Sequence, residues 1–151
     1  MTKLKIFKSL AITLFISTLM LSCSTQTTRR NPYLQEVNFS IEINLNLPTY
    51  SPLKIIGNPV SVSTSGVGTQ GIILMNTGFD SFVAFEASCA NHAPNSCSRL
   101  RIDGQNALCS CEDYQYSLFT GQLLNAPTEG RSYDLLAYST RLNGNVLQVF
   151  N

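Results

Sequence analysis

The chain has 151 residues, with ten Lys+Arg, nine Asp+Glu, one His, five Cys and no Trp. That length predicts a single domain. Its 44% apolar and 13% charged residues exclude a disordered polyelectrolyte, since an average domain carries about 25% charge. A net charge of +1 gives no electrostatic basis for binding nucleic acid, and one histidine excludes any site that draws two imidazoles from this chain.

Lys3, Lys5 and Lys8 precede an uncharged apolar run from Ser9 to Leu21. Its 13 residues match the core of a signal peptide and fall short of the roughly 20 needed to span a bilayer. The run ends in Met20-Leu21-Ser22-Cys23. This resembles a bacterial lipobox, in which cleavage before the cysteine leaves its thiol to carry lipid. Residues 1–22 are therefore expected to be a lipoprotein signal peptide, with Cys23 the lipidated residue and the membrane anchor. An ordinary secretory signal with a chance cysteine is the alternative. The polar stretch from Ser24 to Asn31 has no apolar period, so residues 23–35 are read as lipidated cysteine plus flexible tether. The expected location is exported, on the periplasmic or outer-membrane side. Processing leaves seven basic and nine acidic residues, a net charge of −2, and four cysteines. An even number in an oxidising compartment favours pairing.

The domain, residues 36–151, reads as all-β. Val37, Phe39, Ile41, Ile43, Leu45 and Leu47 alternate with polar residues, a long half-buried strand closed by Pro48 and Pro52. Short strands follow at Leu53–Ile56 and Val60–Ser63, with a turn at Gly66-Val67-Gly68. Gln70–Met75 and Ser81–Glu86 form a hairpin around Asn76–Asp80. Further strands are predicted at Leu100–Ile102, Ala107–Cys109, Tyr133–Thr140 and Asn145–Phe150, the last two joined through Asn143-Gly144. No segment after residue 23 carries a helical period. Many short strands with regular turns imply a sandwich or barrel. There is no phosphate-binding glycine loop, serine nucleophile elbow or zinc-protease signature.

Chemistry concentrates between Cys89 and Gly121. Cys89 and Cys97 form one pair, with His92 on the loop between them. Cys109 and Cys111 form a second, followed by Glu112, Phe119 and Gly121. This segment resembles the Rieske [2Fe–2S] family, whose first motif is Cys-x-His followed by a Cys, and whose second is Cys-x-Cys-His with a trailing Phe and Gly. With the signal-like N-terminus, the chain is most similar to small exported Rieske-like proteins of Bacteroidetes. The resemblance implies an antiparallel β-sandwich with a cysteine-bearing subdomain, here residues 88–128. It also implies that Cys89 and Cys109 occupy iron-ligand positions, that Cys97–Cys111 is the disulfide stapling the two loops, and that the cofactor is a [2Fe–2S] cluster. The histidine positions depart from it. Asn91 stands at the first, with His92 one residue late, and Glu112 stands at the second. A carboxylate is a harder ligand than imidazole and adds negative charge, and a standard cluster needs two histidines on one iron.

The preferred reading is therefore that no cofactor binds. Cys89–Cys109 would then close a second disulfide, and the protein would be a structural or interaction module rather than an enzyme. The alternative is an electron-transfer protein with a modified [2Fe–2S] cluster on Cys89, His92, Cys109 and Glu112. A zinc site on the cysteines with His92 is a further alternative, disfavoured because exported proteins seldom keep reduced thiols. Otherwise His92 is an exposed loop residue. Tyr114, Tyr116 and Phe119 are candidates for a protein-binding tip, with packing beneath the loops as the competing expectation.

Overall fold

The computed structural model describes residues 30–151; the expected signal peptide and Cys23 lie outside them. Nine strands form among the described residues: β1 (Ser40–Asn44), β2 (Pro59–Val62), β3 (Ile72–Gly78), β4 (Ser81–Glu86), β5 (Arg101–Asp103), β6 (Asn106–Leu108), β7 (Gln115–Ser117), β8 (Ala137–Asn143) and β9 (Val146–Phe150). They build a six-stranded sheet in the order β1-β9-β8-β4-β3-β2 and a three-stranded sheet β5-β6-β7. Every pairing is antiparallel.

Strand β8 changes partner along its length. Ala137 and Tyr138 pair with Phe85 and Ala84 of β4, and from Ser139 onward the strand pairs with β9. This handover lets the two halves of the larger sheet face one interior. Ile43, Leu147 and Val149 from one half share a core with Val62, Ile72, Leu74, Phe82, Ala84 and Tyr138 from the other. The centre of the fold is β3, where Ile72 to Met75 are all buried. Successive side chains of a strand point to opposite faces. Ile72 and Leu74 therefore enter this core, while Ile73 and Met75 enter a second one with Phe85, Cys89, Cys109, Tyr116 and Leu118. An unbroken apolar run is what a strand buried on both faces requires.

Four expectations are corrected. The alternating segment is a shorter strand, Ser40–Asn44, and Pro48–Lys54 form a 3-10 helix where the next strand was expected to begin. Pro48 and Pro52 have no N–H to give a ladder, and proline is tolerated in a first helical turn. Leu53, fully buried, pins that helix to the core. The β3–β4 hairpin is tighter than expected, because Asn76 and Thr77 belong to β3 and the reversal is made by Phe79 and Asp80, with φ of 52° and 56°. Strand β7 was not foreseen. It is three residues long and exists through pairing with β6. Residues 31–35, assigned to the tether, pack on the domain. The Asn31 side-chain amide donates to the Ala90 carbonyl at 2.7 Å, and Leu34 is a core residue.

A buried carboxylate fastens the framework next to the cysteine loops. Glu86, fully buried at the end of β4, accepts hydrogen bonds from the backbone N–H groups of Thr69 (2.7 Å), Gln70 (3.0 Å) and Ser88 (3.0 Å) and from the Tyr138 hydroxyl (2.7 Å). A buried charge is tolerable when its lone pairs are filled in this way. The Gly66–Gly71 turn is thereby held to the sheet. Gly68 must lack a side chain there, because a Cβ would lie 2.8 Å from the Glu86 Oε2.

Candidate functional site

Two loops leave the second core and meet. The first runs from Cys89 and closes where the Cys89 N–H donates to the Ser98 carbonyl at 2.8 Å, beside a bridge between Ser88 and Arg99. The second follows β6, closing where the Cys109 N–H donates to the Tyr114 carbonyl at 2.8 Å, with Asp113 reversing the chain at φ 55°. A disulfide joins Cys97 to Cys111 across the loop tips, with Cα atoms 5.5 Å apart. The second expected bridge is not formed. Cys89 and Cys109 are free, buried thiols, and each sulfur has another partner. Cys109 Sγ lies 3.2 Å from His92 Nε2, and Cys89 Sγ lies 3.5 Å from the Tyr116 hydroxyl.

His92 is half-buried and turned inward rather than an exposed loop residue, which corrects that expectation. Its Nδ1 lies 3.0 Å from the Ala93 carbonyl. A carbonyl only accepts, so Nδ1 carries the hydrogen and Nε2 presents its lone pair to the sulfur. Cys89, His92 and Cys109 bring their three donor atoms within 4.8 Å of one another. The fourth candidate is absent from this group: Glu112 is exposed on the second loop. Burial pushes the Cys89 thiol up to about 12, aided by the Cys109 thiol and opposed by hydrogen bonds with the Tyr116 hydroxyl and the Asn91 backbone N–H. The Tyr116 hydroxyl is likewise raised, first by burial and then by Cys89.

Two supporting residues were not recognised in the sequence. Asn91, known only as a missing histidine, braces the site. Its side-chain amide donates to the Tyr116 hydroxyl (2.7 Å) and the Tyr133 carbonyl (2.9 Å), and its Oδ1 accepts from the Tyr133 N–H (2.7 Å). The Tyr116 hydroxyl oxygen accepts from Asn91, and the hydroxyl also stands 3.5 Å from the Cys89 sulfur, where either group can donate. Of the two expectations for the aromatics, Tyr116 follows packing beneath the loops, being fully buried, whereas Tyr114 is half-buried and Phe119 is 38% exposed. No sequence pattern marks a tyrosine or asparagine for this role, because the contacts join β7, the first loop and residue 133.

No protein-family model and no curated protein matches the chain. Solved structures do. The plasma membrane Rieske protein PetC3 from the cyanobacterium Synechocystis PCC 6803 is similar over 67% of this chain and 93% of its own, at 19% identity and a TM-score of 0.50. A chain of the oxygenase–ferredoxin complex in carbazole 1,9a-dioxygenase is similar over 77% of this chain and 94% of its own, at 17% identity and a TM-score of 0.47. The fold is thus Rieske-like: antiparallel sheets with a cysteine-bearing subdomain that gathers a Cys/His group.

A Rieske fold implies a [2Fe–2S] cluster with two cysteines on one iron and two histidines on the other. The residues present do not fit that group. Among the described residues, three donors converge rather than four. The first-motif Asn91 spends its side chain on Tyr116 and Tyr133. The imidazole sits 3.2 Å from a cysteine sulfur, at hydrogen-bonding distance, whereas the family places its histidines and its cysteines on different irons.

Proposed function

We propose that the protein is an exported lipoprotein, anchored through Cys23, whose Rieske-like domain serves as a disulfide-stapled structural or interaction module and not as a carrier of a Cys₂His₂ cluster. The reading rests on the donor set: Asn91 is committed to Tyr116 and Tyr133, Glu112 is exposed, and the chain has one histidine. The membrane assignment rests on the N-terminal charge pattern, the short apolar run and the position of Cys23. It accords with the plasma-membrane location of the cyanobacterial neighbour. With Tyr116 buried, a protein partner at the loop tip would meet Tyr114 and Phe119.

Two measurements test this. Iron and acid-labile sulfide in the purified protein should be far below stoichiometric. Two of each per chain would make it an electron-transfer protein with a modified cluster and overturn the reading. Fatty-acid labelling should mark the wild-type protein and be lost in Cys23→Ala; equal labelling, or none in the wild type, would remove the anchor.

A further inference from the structure

The group formed by Cys89, His92 and Cys109 has the dimensions of a site for one ion. Tetrahedral zinc, with Zn–S near 2.3 Å and Zn–N near 2.0 Å, places its donor atoms about 3.5–3.8 Å apart. Here Cys89, Cys109 and His92 present their donor atoms within 4.8 Å of one another, with the imidazole 3.2 Å from the Cys109 sulfur. A small movement of the His92 loop admits a single ion between them.

The surroundings are those of a metal ligand set. A ligating histidine almost always donates its other ring N–H to a carbonyl or carboxylate, which fixes the tautomer. His92 Nδ1 already meets the Ala93 carbonyl, and Ser98 Oγ stands 3.4 Å away. The Tyr116 hydroxyl stands 3.5 Å from the Cys89 sulfur, within reach of it once the thiol proton leaves. Charge selects the ion. Both cysteines are essentially buried, and two thiolates with a divalent cation make a neutral centre, whereas a monovalent copper ion would leave a net negative charge in the core. Thiolate and imidazole together suit zinc.

We infer that Cys89, Cys109 and His92 bind a single zinc ion, with water in the fourth position, in place of the two-iron cluster of the Rieske fold. Binding displaces the two thiol protons to solvent and involves no change of oxidation state. The inference rests on the reading that no [2Fe–2S] cluster assembles, and it accounts for two unbridged thiols beside a formed disulfide.

The test uses the full chain, purified without added metal, stripped with a chelator and titrated with Zn²⁺ alone against a chromophoric competitor. One zinc per chain should bind at submicromolar Kd. Cys109→Ser should weaken binding by about 100-fold or more, and His92→Ala by about 10-fold or more. Glu112→Gln should leave affinity unchanged. Because Cys109 is a core residue, His92→Ala on its half-buried loop keeps the test decisive if the cysteine variant misfolds. Co²⁺ should give tetrahedral visible bands with thiolate charge transfer, altered in His92→Ala. Absence of 1:1 zinc binding, binding indifferent to His92, weakening by Glu112→Gln, copper(I) uptake without zinc uptake, or a Cys89–Cys109 disulfide in the isolated protein would each overturn the assignment. Stoichiometric iron and sulfide would overturn both readings; no iron and no zinc would overturn this one alone.

Discussion

Glu86→Gln is the sharpest probe of the framework, because it changes charge and almost nothing in shape. The carboxylate accepts four hydrogen bonds: Oε1 from the Gln70 and Ser88 amides, Oε2 from the Thr69 amide and the Tyr138 hydroxyl. A glutamine keeps one oxygen. Its best orientation leaves that oxygen with Gln70 and Ser88 and turns its amide toward Tyr138, whose hydroxyl can reverse and accept. The Thr69 N–H cannot reverse and loses its acceptor. An orphaned buried donor costs about 1–3 kcal/mol, and each surviving bond weakens by about 1 kcal/mol when its acceptor becomes neutral. The neutral side chain recovers part of this through its smaller desolvation penalty. The expected net loss is about 2–4 kcal/mol, a large share of the 5–15 kcal/mol typical of a domain. Urea denaturation followed by far-UV circular dichroism and tyrosine fluorescence, which no tryptophan obscures, should show the midpoint falling by about 1–2 M at unchanged m-value. A double-mutant cycle with Tyr138→Phe should give a coupling of about 1 kcal/mol or more. A change below about 0.5 kcal/mol, or zero coupling, would show that the carboxylate does not hold the Thr69–Gln70 turn and would refute the assignment.

The remaining predictions concern the cysteine loops, a packed glycine and pH. Cys97→Ser with Cys111→Ser opens a closure of 14 residues and should lower stability by about 3 kcal/mol on the chain-entropy argument, read by denaturation of oxidised wild type against the double variant. Gly121→Ala should destabilise by about 2 kcal/mol or more by thermal melting. Its φ is +76°, and a Cβ would stand 2.7 Å from Phe85 Cε1 in the second core. Burial, then the hydrogen bond to Glu86, raises the ionisation of Tyr138 above its ordinary value near 10. The folded chain therefore holds this proton to a higher pH than the unfolded chain. The contribution is intact below pH 10 and is lost as pH rises above it, by up to about 1.4 kcal/mol per pH unit. Wild type should lose stability against Tyr138→Phe between pH 10 and 11, and parallel profiles would contradict this.

Much of the fold is written in local pattern. Alternation around Ile41 and Ile43, the apolar run of β3 and the Asn143-Gly144 reversal each report a strand or turn through side-chain period and backbone preference, which neighbours in sequence decide. The cysteine spacing carried the Rieske-like resemblance, and the solitary histidine with Asn91 and Glu112 already argued against a standard cluster. Other features were beyond local pattern. Strand β7 exists because β6 lies beside it, and Leu34 is a core residue because the second core closes over it.

The site divides in the same way. Sequence by itself determined which groups this chain can offer a ligand: four cysteines after the signal-like segment, one imidazole, and a carboxamide where a second imidazole would stand. Only the tertiary structure decided their use. It left Cys89 and Cys109 as thiols beside the Cys97–Cys111 bridge that the resemblance had implied, turned His92 inward against Cys109, sent Glu112 to the surface and buried Tyr116 under the loops. Spacing along a chain fixes which residue types are present, whereas a ligand set is fixed by distances across two loops. Those distances are set by the pairing of β6 with β7, the brace of Asn91 on Tyr133 and the second core beneath them.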